Sequence, residues 1–234
     1  LCGSHDTASA VLAMPKAKGD GVYISSGTWS LMGVELEEAD CREVSRKANF
    51  TNEGGYEFRF RYLKNIMGLW MIQSVRHEWE DRYSFAELCK MAREDQAFPS
   101  RVDANDNCFL APESMIREIQ DYCQRTGQKI PETPGEIASV IYQSLADCYG
   151  KTVKEIEENT GKTYDGIYII GGGSNAAYLN QLTANATGKT VYAGPGEATA
   201  MAQMIKNKEL GGAAEARECV FRSFEVEEYH NDQR

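Results

Sequence analysis

The first residues that could carry chemistry form a short polar run, His5-Asp6-Thr7, just before a stretch of small and apolar residues. A carboxylate such as Asp6 can take the proton of a hydroxyl group while the hydroxyl oxygen attacks an electrophile. The neighbouring His5 suits a clamp on sugar hydroxyls. The alternative is structural, because Asp is a favoured N-cap residue and Asp6 stands where a helix would begin. The residues alone leave both interpretations open.

A second candidate is the triple glycine Gly171-Gly172-Gly173, which joins an apolar strand-like run to a helix-like run. Glycine lets backbone amides come close to a ligand, and a following helix N-terminus favours anions. The pattern suits a nucleotide-binding turn, but it also suits an ordinary tight turn. A dinucleotide fingerprint is disfavoured, because the next strand ends at Ala193-Gly194-Pro195 without the acidic residue that would hold a ribose.

A third candidate is the turn Gly27-Thr28, which offers backbone amides and a hydroxyl to a phosphate group. Thr28 could equally be an ordinary turn residue. Gln73 lies at the edge of the apolar stripe of a predicted helix. Polar residues at such an edge are usually only solvated.

Hydrophobic periodicity and capping residues predict the α/β elements that position these candidates. A hairpin is predicted around the two-residue turn Gly27-Thr28, and Thr133 is predicted as the cap of one long helix. The predicted strands are 21–26, 29–34, 58–62, 164–170 and 189–193. The predicted helices are 7–14, 69–80, 84–96, 112–125, 134–160, one after the glycines that ends at Gly188, 197–206, and one in the tail 211–234.

Composition narrows the class of protein. The formal net charge of −10 argues against a nucleic-acid partner, since such proteins usually present a basic face. No apolar run approaches the length of a membrane span, so no membrane partner is expected. The seven cysteines are scattered singly, and this pattern indicates reduced thiols and a cytoplasmic location. The chain begins without Met, and we expect it to be part of something longer.

Several motifs together resemble the FGGY carbohydrate kinases, and within that family the kinases of L-rhamnulose. The motifs occur in the family's order and spacing: GSHDTASAV (3–11), SSGTWSLMG (25–33), NEGG (52–55), LKNIMGLW (63–70) and the triple glycine. The resemblance covers essentially the whole chain but only the C-terminal half of the family's length. It implies the actin-like ATPase (ribonuclease H-like) fold, a mixed β-sheet flanked by helices. Residues 1–234 would then be the C-terminal lobe of a two-lobe kinase, without its N-terminal lobe.

The resemblance also assigns roles to individual residues. Asp6 would be the general base, and His5, Asp6, Thr7 and Asn65 would contact the sugar. Thr28 would face the phosphates of ATP, Gln73 would reach the nucleotide, and the backbone of Gly172 would line the adenosine pocket. Mg²⁺ would be bound with the nucleotide rather than by residues identified in this chain.

The activity implied is transfer of a phosphoryl group from ATP to L-rhamnulose, giving L-rhamnulose 1-phosphate. The alternatives are a sister kinase for another ketose, such as L-fuculose or L-xylulose, and a non-catalytic nucleotide-binding module of the same fold. One departure from the family pattern matters. The Asp-x-Gly phosphate hairpin of the N-terminal lobe is not found in these 234 residues, so we expect the chain alone to be inactive.

Overall fold

The computed structural model of the chain describes residues 11, 14, 20–55, 58–194, 215, 217–219, 222 and 226–232. These residues form a mixed β-sheet with flanking helices, which confirms the predicted α/β class. The strands are β1 (Gly21–Ser26), β2 (Ser30–Leu36), β3 (Thr51–Gly54), β4 (Phe60–Ile66), β5 (Gly166–Ile170), β6 (Thr190–Ala193) and β7 (Glu227–Tyr229). The helices are α1 (Glu43–Lys47), α2 (Trp70–Glu78), α3 (Phe85–Glu94), α4 (Met115–Arg125), α5 (Pro134–Thr160) and α6 (Ala177–Thr187), with 3₁₀ turns at Asn107–Phe109 and Gly172–Asn175.

The seven strands of the described sheet lie in the order β3-β4-β2-β1-β5-β6-β7. The central strands β1, β5 and β6 are parallel, and the other pairs are antiparallel. Ser25 of β1 lies opposite Ile170 of β5, so the carboxyl ends of these two strands are neighbours. This register brings the turn after β1 and the triple glycine after β5 to the same edge of the sheet, where open α/β sheets commonly bind ligands.

The hairpin of β1 and β2 is confirmed, with a loop one residue longer than predicted. Ser26 pairs with Ser30, and the amide of Gly27 donates to the carbonyl of Trp29 at 2.9 Å. The loop therefore comprises Gly27, Thr28 and Trp29, and β2 begins at Ser30.

The prediction for β4 was wrong in its bounds. The strand runs from Phe60 to Ile66 rather than from 58 to 62, and every residue of it pairs with β2. Phe58 has a left-handed backbone (φ 61°) and is 97% exposed, so it cannot continue the strand. The following helix is also shorter than the predicted 69–80, because it begins at Trp70 and ends at Glu78.

The cap at Thr133 was predicted correctly, and the helix predicted from Ser84 begins one residue later, at Phe85. Ser84 and Thr133 each form a capping box with a glutamate three residues on, and they open α3 and α5. The 27-residue α5 ends at Gly161, whose backbone is left-handed. The predicted start of α4 at Pro112 was wrong, because Ser114 caps that helix and its first residue is Met115.

Two apolar clusters cover the two faces of the sheet. One, which includes Ile24, Tyr62 and Ile141, packs the sheet against the described helices. The other includes Tyr23, Leu63 and Ile170 and also contains the buried side chains of Val11 and Met14. Because both faces are covered, all five residues of β5 are buried, as the uninterrupted apolar run predicted.

The tail contains more structure than the single helix expected from the sequence. Residues 215, 217–219 and 222 are helical, and β7 then pairs antiparallel with β6. The predicted helix 197–206 lies outside the described residues. Across the described part of the chain, no helix combines the length and the apolar character needed to cross a membrane.

Candidate nucleotide site

A cavity of about 550 Å³ opens at the edge of the sheet where β1 and β5 end. Its walls come from both turns and from α2, α3, α5 and α6. The lining residues are Gly27, Leu69, Ile72, Gln73, Phe85, Ala86, Cys89, Tyr142, Gly172, Asn175, Ala176 and Ala177. Most of these side chains are apolar and only a few are polar, a composition common among cavities that bind small organic ligands. We call this space the nucleotide cavity, after the ligand that the sequence analysis predicts for its turns.

Thr28 and Gln73, which the sequence nominated separately, are in contact. The hydroxyl Oγ1 of Thr28 donates to Oε1 of Gln73 at 3.1 Å, although the two residues are 45 positions apart. Gln73 is half-buried and lines the cavity, and Thr28 is exposed at the turn. Within the described residues the side-chain NH₂ of Gln73 has no hydrogen-bond partner, so it is available to a ligand.

The backbone explains why these two residues meet. The amides of Leu69 and Trp70 donate to the carbonyls of Gly27 and Thr28 at 3.1 and 3.0 Å, so the turn satisfies the first donors of α2. Gly68 makes this approach possible. Its φ is +54°, and a Cβ there would lie 2.6 Å from the amide nitrogen of Ser30.

The three glycines of the turn have different surroundings: Gly171 and Gly173 pack against β1, and Gly172 faces the cavity. A Cβ on Gly171, whose φ is +85°, would lie 2.8 Å from the carbonyl oxygen of Ser26. A Cβ on Gly173 would lie 1.9 Å from Oγ of the same serine. Gly172 is exposed, and a Cβ there would meet nothing within 4 Å. Packing against β1 therefore requires Gly171 and Gly173, whereas Gly172 borders space that a ligand could fill.

The glycine turn continues as a 3₁₀ turn before α6 begins. The amide and the hydroxyl of Ser174 both donate to the carbonyl of Gly171, at 3.0 and 2.8 Å. Asn180 holds the turn from α6 by donating to the carbonyl of Ser174 at 2.9 Å. No side chain caps the first turn of α6, and Ala176 and Ala177 present this uncapped end to the cavity. The predicted strand–glycine–helix arrangement is confirmed, with this extra 3₁₀ turn.

Tyr142 and Cys89 give the cavity an uncharged surface. The thiol of Cys89 donates to the hydroxyl of Tyr142 at 3.4 Å. Burial raises the pKa of both groups, so both are protonated at neutral pH. A flat, neutral group such as a nucleobase could lie on such a surface without facing a buried charge.

Sequence reasoning missed most of the apolar wall. Leu69, Ile72 and Tyr142 have the spacing of ordinary core residues, and no local signal separates them from the core. Phe85 carried only one sequence signal, because it directly follows the Ser84 cap; its 46% exposure is seen only in the structure. Cys89 lies four positions further along α3, on the same face.

Asn65, predicted to contact a sugar, does not line the nucleotide cavity. It is exposed on β4 and pairs with Leu31 of β2. Side chains alternate along the strand, so Asn65 shares the face of Leu63, which carries the cluster with Val11 and Met14. Asn65 therefore lies on the other face of the sheet, but near the same edge as the turn after β1, because its partner Leu31 directly follows Ser30. His5, Asp6 and Thr7 lie outside the described residues.

The described residues offer no metal-binding cluster. Among them, no group of three or more His, Cys, Asp or Glu side chains could hold a metal ion. The cysteines of that part of the chain are reduced and form no disulfide; they are Cys41, Cys89, Cys108, Cys123, Cys148 and Cys219.

This geometry agrees with the comparison with known families. Residues 22–204 match the FGGY family of carbohydrate kinases, C-terminal domain. The match covers well over half of the chain, and the chain therefore belongs to the FGGY family of carbohydrate kinases.

Individual relatives show which members of the family the chain is similar to. The chain is 49% identical over 233 residues to a protein named rhamnulokinase from Halalkalibacterium halodurans, covering 98% of this chain and 50% of that protein. It is 47% identical over 227 residues to a rhamnulokinase from Bacillus subtilis, covering 95% of this chain and 47% of that protein. The chain thus spans about half the length of the curated relatives it matches.

Solved structures agree on the fold. A xylulose kinase from Rhodospirillum rubrum superimposes with a TM-score of 0.68 at 14% identity, over 97% of this chain and 46% of that one. A Plasmodium falciparum glycerol kinase with ADP gives a TM-score of 0.68 at 12% identity, over 97% and 46% of the two chains. The predicted actin-like ATPase fold is confirmed.

Proposed function

We propose that the chain is the C-terminal half of an ATP-dependent kinase that phosphorylates L-rhamnulose at its 1-hydroxyl group. Two features support this assignment. The chain belongs to a family of carbohydrate kinases, and relatives named rhamnulokinase are 41–49% identical to it over nearly its whole length. We call this chain joined to its N-terminal lobe the two-lobe kinase.

One observation supports the proposal that ATP binds in the nucleotide cavity. Thr28, Gln73 and Gly172 come from three distant segments, and they meet at the edge of one cavity. The turn at Thr28 would face the phosphates, and the apolar wall with Cys89 and Tyr142 would take the base. Phosphoryl transfer needs mainly alignment and charge stabilisation from the protein, so a site built of turns and neutral walls suits it.

The sugar part of the proposal rests on His5, Asp6, Thr7 and Asn65. Asp6 would accept the proton of the 1-hydroxyl group while the hydroxyl oxygen attacks the γ-phosphorus of ATP. The bond between the γ-phosphorus and the β,γ-bridging oxygen breaks, and ADP leaves. Asn65 would hold a sugar hydroxyl, and its exposure on the sheet face that also carries Val11 and Met14 is compatible with that role.

The remaining partners belong to the same assignment. Mg²⁺ would enter with the nucleotide, coordinated mainly by phosphate oxygens and water. The N-terminal lobe would supply the phosphate hairpin. Reduced thiols at all six described cysteines favour the cytoplasm as the location.

The alternatives from the sequence are less well supported. Relatives that are 41–49% identical to this chain carry the name rhamnulokinase, whereas the xylulose kinase that shares the fold is only 14% identical. A kinase for L-fuculose or L-xylulose, or a binding module without catalysis, is therefore not favoured.

The experiment is a coupled ATP assay with L-rhamnulose, L-fuculose and L-xylulose, run on the two-lobe kinase and on the 234-residue chain alone. We expect the two-lobe kinase to turn over L-rhamnulose at roughly 1 to 1,000 per second, with the highest kcat/KM of the three sugars. The chain alone should fold but show no turnover, because the phosphate hairpin is missing and its cleft is open to water. A two-lobe kinase that phosphorylates none of the sugars would overturn the proposal, and one that prefers L-fuculose or L-xylulose would overturn the assignment to L-rhamnulose.

A further inference from the structure

Two aromatic side chains line the nucleotide cavity, and only one of them is open to solvent. Tyr142 is 1% exposed, whereas Phe85 is 46% exposed. Phe85 is the first residue of α3, directly after the Ser84 cap. Exposed apolar side chains are common on protein surfaces, so exposure alone says little. The exposure of Phe85 matters because its ring borders a cavity and is accessible to whatever fills that cavity.

The ring of Phe85 is supported on one face by Arg76. The guanidinium carbon of Arg76 lies over the ring, 4.9 Å from its centre, which is within the range of a cation–π contact. The guanidinium is itself held in place. Its Nε donates to the carbonyl of Tyr83 at 2.8 Å, and its Nη1 pairs with the carboxylate of Asp81 at 2.6 Å. One face of the ring is therefore covered by a fixed group, and the other face remains available.

The wall that comes from the glycine turn and the start of α6 has no bulky side chain. Its residues are Gly172, Asn175, Ala176 and Ala177. This segment lies beside α3, the helix that begins with Phe85, and both border the same cavity. Short side chains on this wall leave room for a flat group between it and the ring of Phe85.

The charges around the cavity indicate which part of a nucleotide lies on this ring. Among the described residues that line the cavity, none has a charged side chain. The positive charge of Arg76 lies behind the ring and is already paired with Asp81. Placing a phosphate against such a wall would remove its hydration without compensation. A nucleobase is uncharged and has apolar faces, so the base suits the Phe85 wall and the phosphates suit the turn at Thr28.

We propose that Phe85 is the residue on which the nucleobase stacks, and that Arg76 fixes the ring from its other face. Every base has an aromatic face, so stacking alone accepts different bases and ranks them by the strength of stacking. A two-ring purine covers more of the phenyl ring than a one-ring pyrimidine does. Phe85 therefore favours purine over pyrimidine nucleotides. The inference rests on the proposed nucleotide site, and it adds the side chain and the class of base that this side chain selects.

The test is calorimetric titration of ADP and UDP into the two-lobe kinase and into its Phe85→Ala and Phe85→Tyr variants. Phe85→Ala removes the ring, and the usual strength of base–aromatic stacking predicts that ADP binds about 5- to 150-fold more weakly. UDP should lose less, so the preference for ADP over UDP should shrink. Phe85→Tyr keeps the ring and should bind ADP within about twofold of the original. Inorganic pyrophosphate has no base, so its affinity, measured by displacement of ADP, should be the same in all three proteins.

A matched variant and a stability measurement complete the test. Phe58→Ala makes the same chemical change at a 97% exposed ring that does not line the cavity, and it should leave ADP affinity unchanged. Urea unfolding checks that each variant is folded. Failure of ADP to bind the original kinase would overturn the proposed nucleotide site, and this inference with it. Three results would overturn the inference alone: equal ADP affinity in Phe85→Ala, an equal loss of ADP and pyrophosphate affinity, or an unchanged preference for ADP over UDP.

Discussion

The substitution Gly172→Val separates a ligand-binding role of the glycine turn from a structural role. A Cβ at Gly172 would meet nothing within 4 Å, and its backbone is not left-handed. The Cβ of the valine therefore has room at this position, beside the nucleotide cavity that Gly172 lines. Folding stability should change by less than about 1 kcal/mol, as for other exposed substitutions without strain.

The effect on the nucleotide should be much larger. Forcing extra carbons into an occupied, well-packed space typically costs about 1 to 3 kcal/mol. Each 1.4 kcal/mol corresponds to a tenfold change in affinity, so ADP should bind roughly 5- to 150-fold more weakly. Binding of L-rhamnulose should change little, because Asn65 lies on the other face of the sheet.

Calorimetric titration of ADP into the two-lobe kinase measures this difference, and urea unfolding measures stability. Gly54→Val is the matched control: the same chemical change at an exposed β3 position whose Cβ also meets nothing within 4 Å. It should leave ADP affinity unchanged. Unchanged ADP affinity in Gly172→Val, or a loss fully explained by unfolding, would show that the turn does not seat the nucleotide.

Three further predictions concern other parts of the chain. Asp6→Asn in the two-lobe kinase should lower kcat by about 10²- to 10⁴-fold with stability within about 1 kcal/mol, because Asn caps a helix as well as Asp; full activity of the folded variant would exclude the base role. Gly68→Ala should lower the free energy of unfolding by about 2 kcal/mol or more, since its φ is +54° and the new Cβ would lie 2.6 Å from the Ser30 nitrogen; urea unfolding with the original stability would contradict this. Hydrogen bonds from Arg42 hold the pKa of Asp40 well below its usual range. The ionised Asp40 therefore stabilises the folded state fully above about pH 4, and this stabilisation is lost as the pH falls toward the pKa of Asp40 in the folded protein. Asp40→Asn should make the free energy of unfolding depend less on pH below about pH 4, and an unchanged pH dependence there would refute this prediction.

Local chemistry predicted the helix ends that the structure confirmed. Thr133 caps α5 through its own side chain, and Gly161 and Gly188 end helices with left-handed backbones. These signals act over three or four residues, so the sequence contains the whole interaction.

Strand bounds depended on distant partners and were predicted less well. The segment from Leu63 to Ile66 is extended because it pairs with Ser30–Gly33 of β2, a contact that no local pattern contains. The short strand β7 was missed for the same reason, since its acidic residues become a strand only by pairing with β6. Sheet pairing overrides local preference in both cases.

In the candidate site too, residues in local motifs were predicted and residues defined only by the fold were not. Thr28, Gln73 and Gly172 were found because they belong to recognisable motifs. The apolar wall of Leu69, Ile72 and Tyr142 was not found, because the same residue types at the same spacing also build ordinary cores. Only the fold shows which apolar residues border empty space.

The long helix α5 connects to the sheet at several levels. Tyr149 shares a 2.7 Å hydrogen bond with Ser30, Asn159 donates to the hydroxyl of Tyr62 at 2.9 Å, and Glu155 pairs with Lys64. Side chains over about three turns of α5 thus contact β2 and β4. The same helix contributes Tyr142 to the nucleotide cavity. A rotation of α5 would therefore move β2, β4 and this wall of the cavity together. If the chain is one lobe of the proposed two-lobe kinase, closure would then bend the molecule at the joint between the lobes and preserve the shape of the cavity.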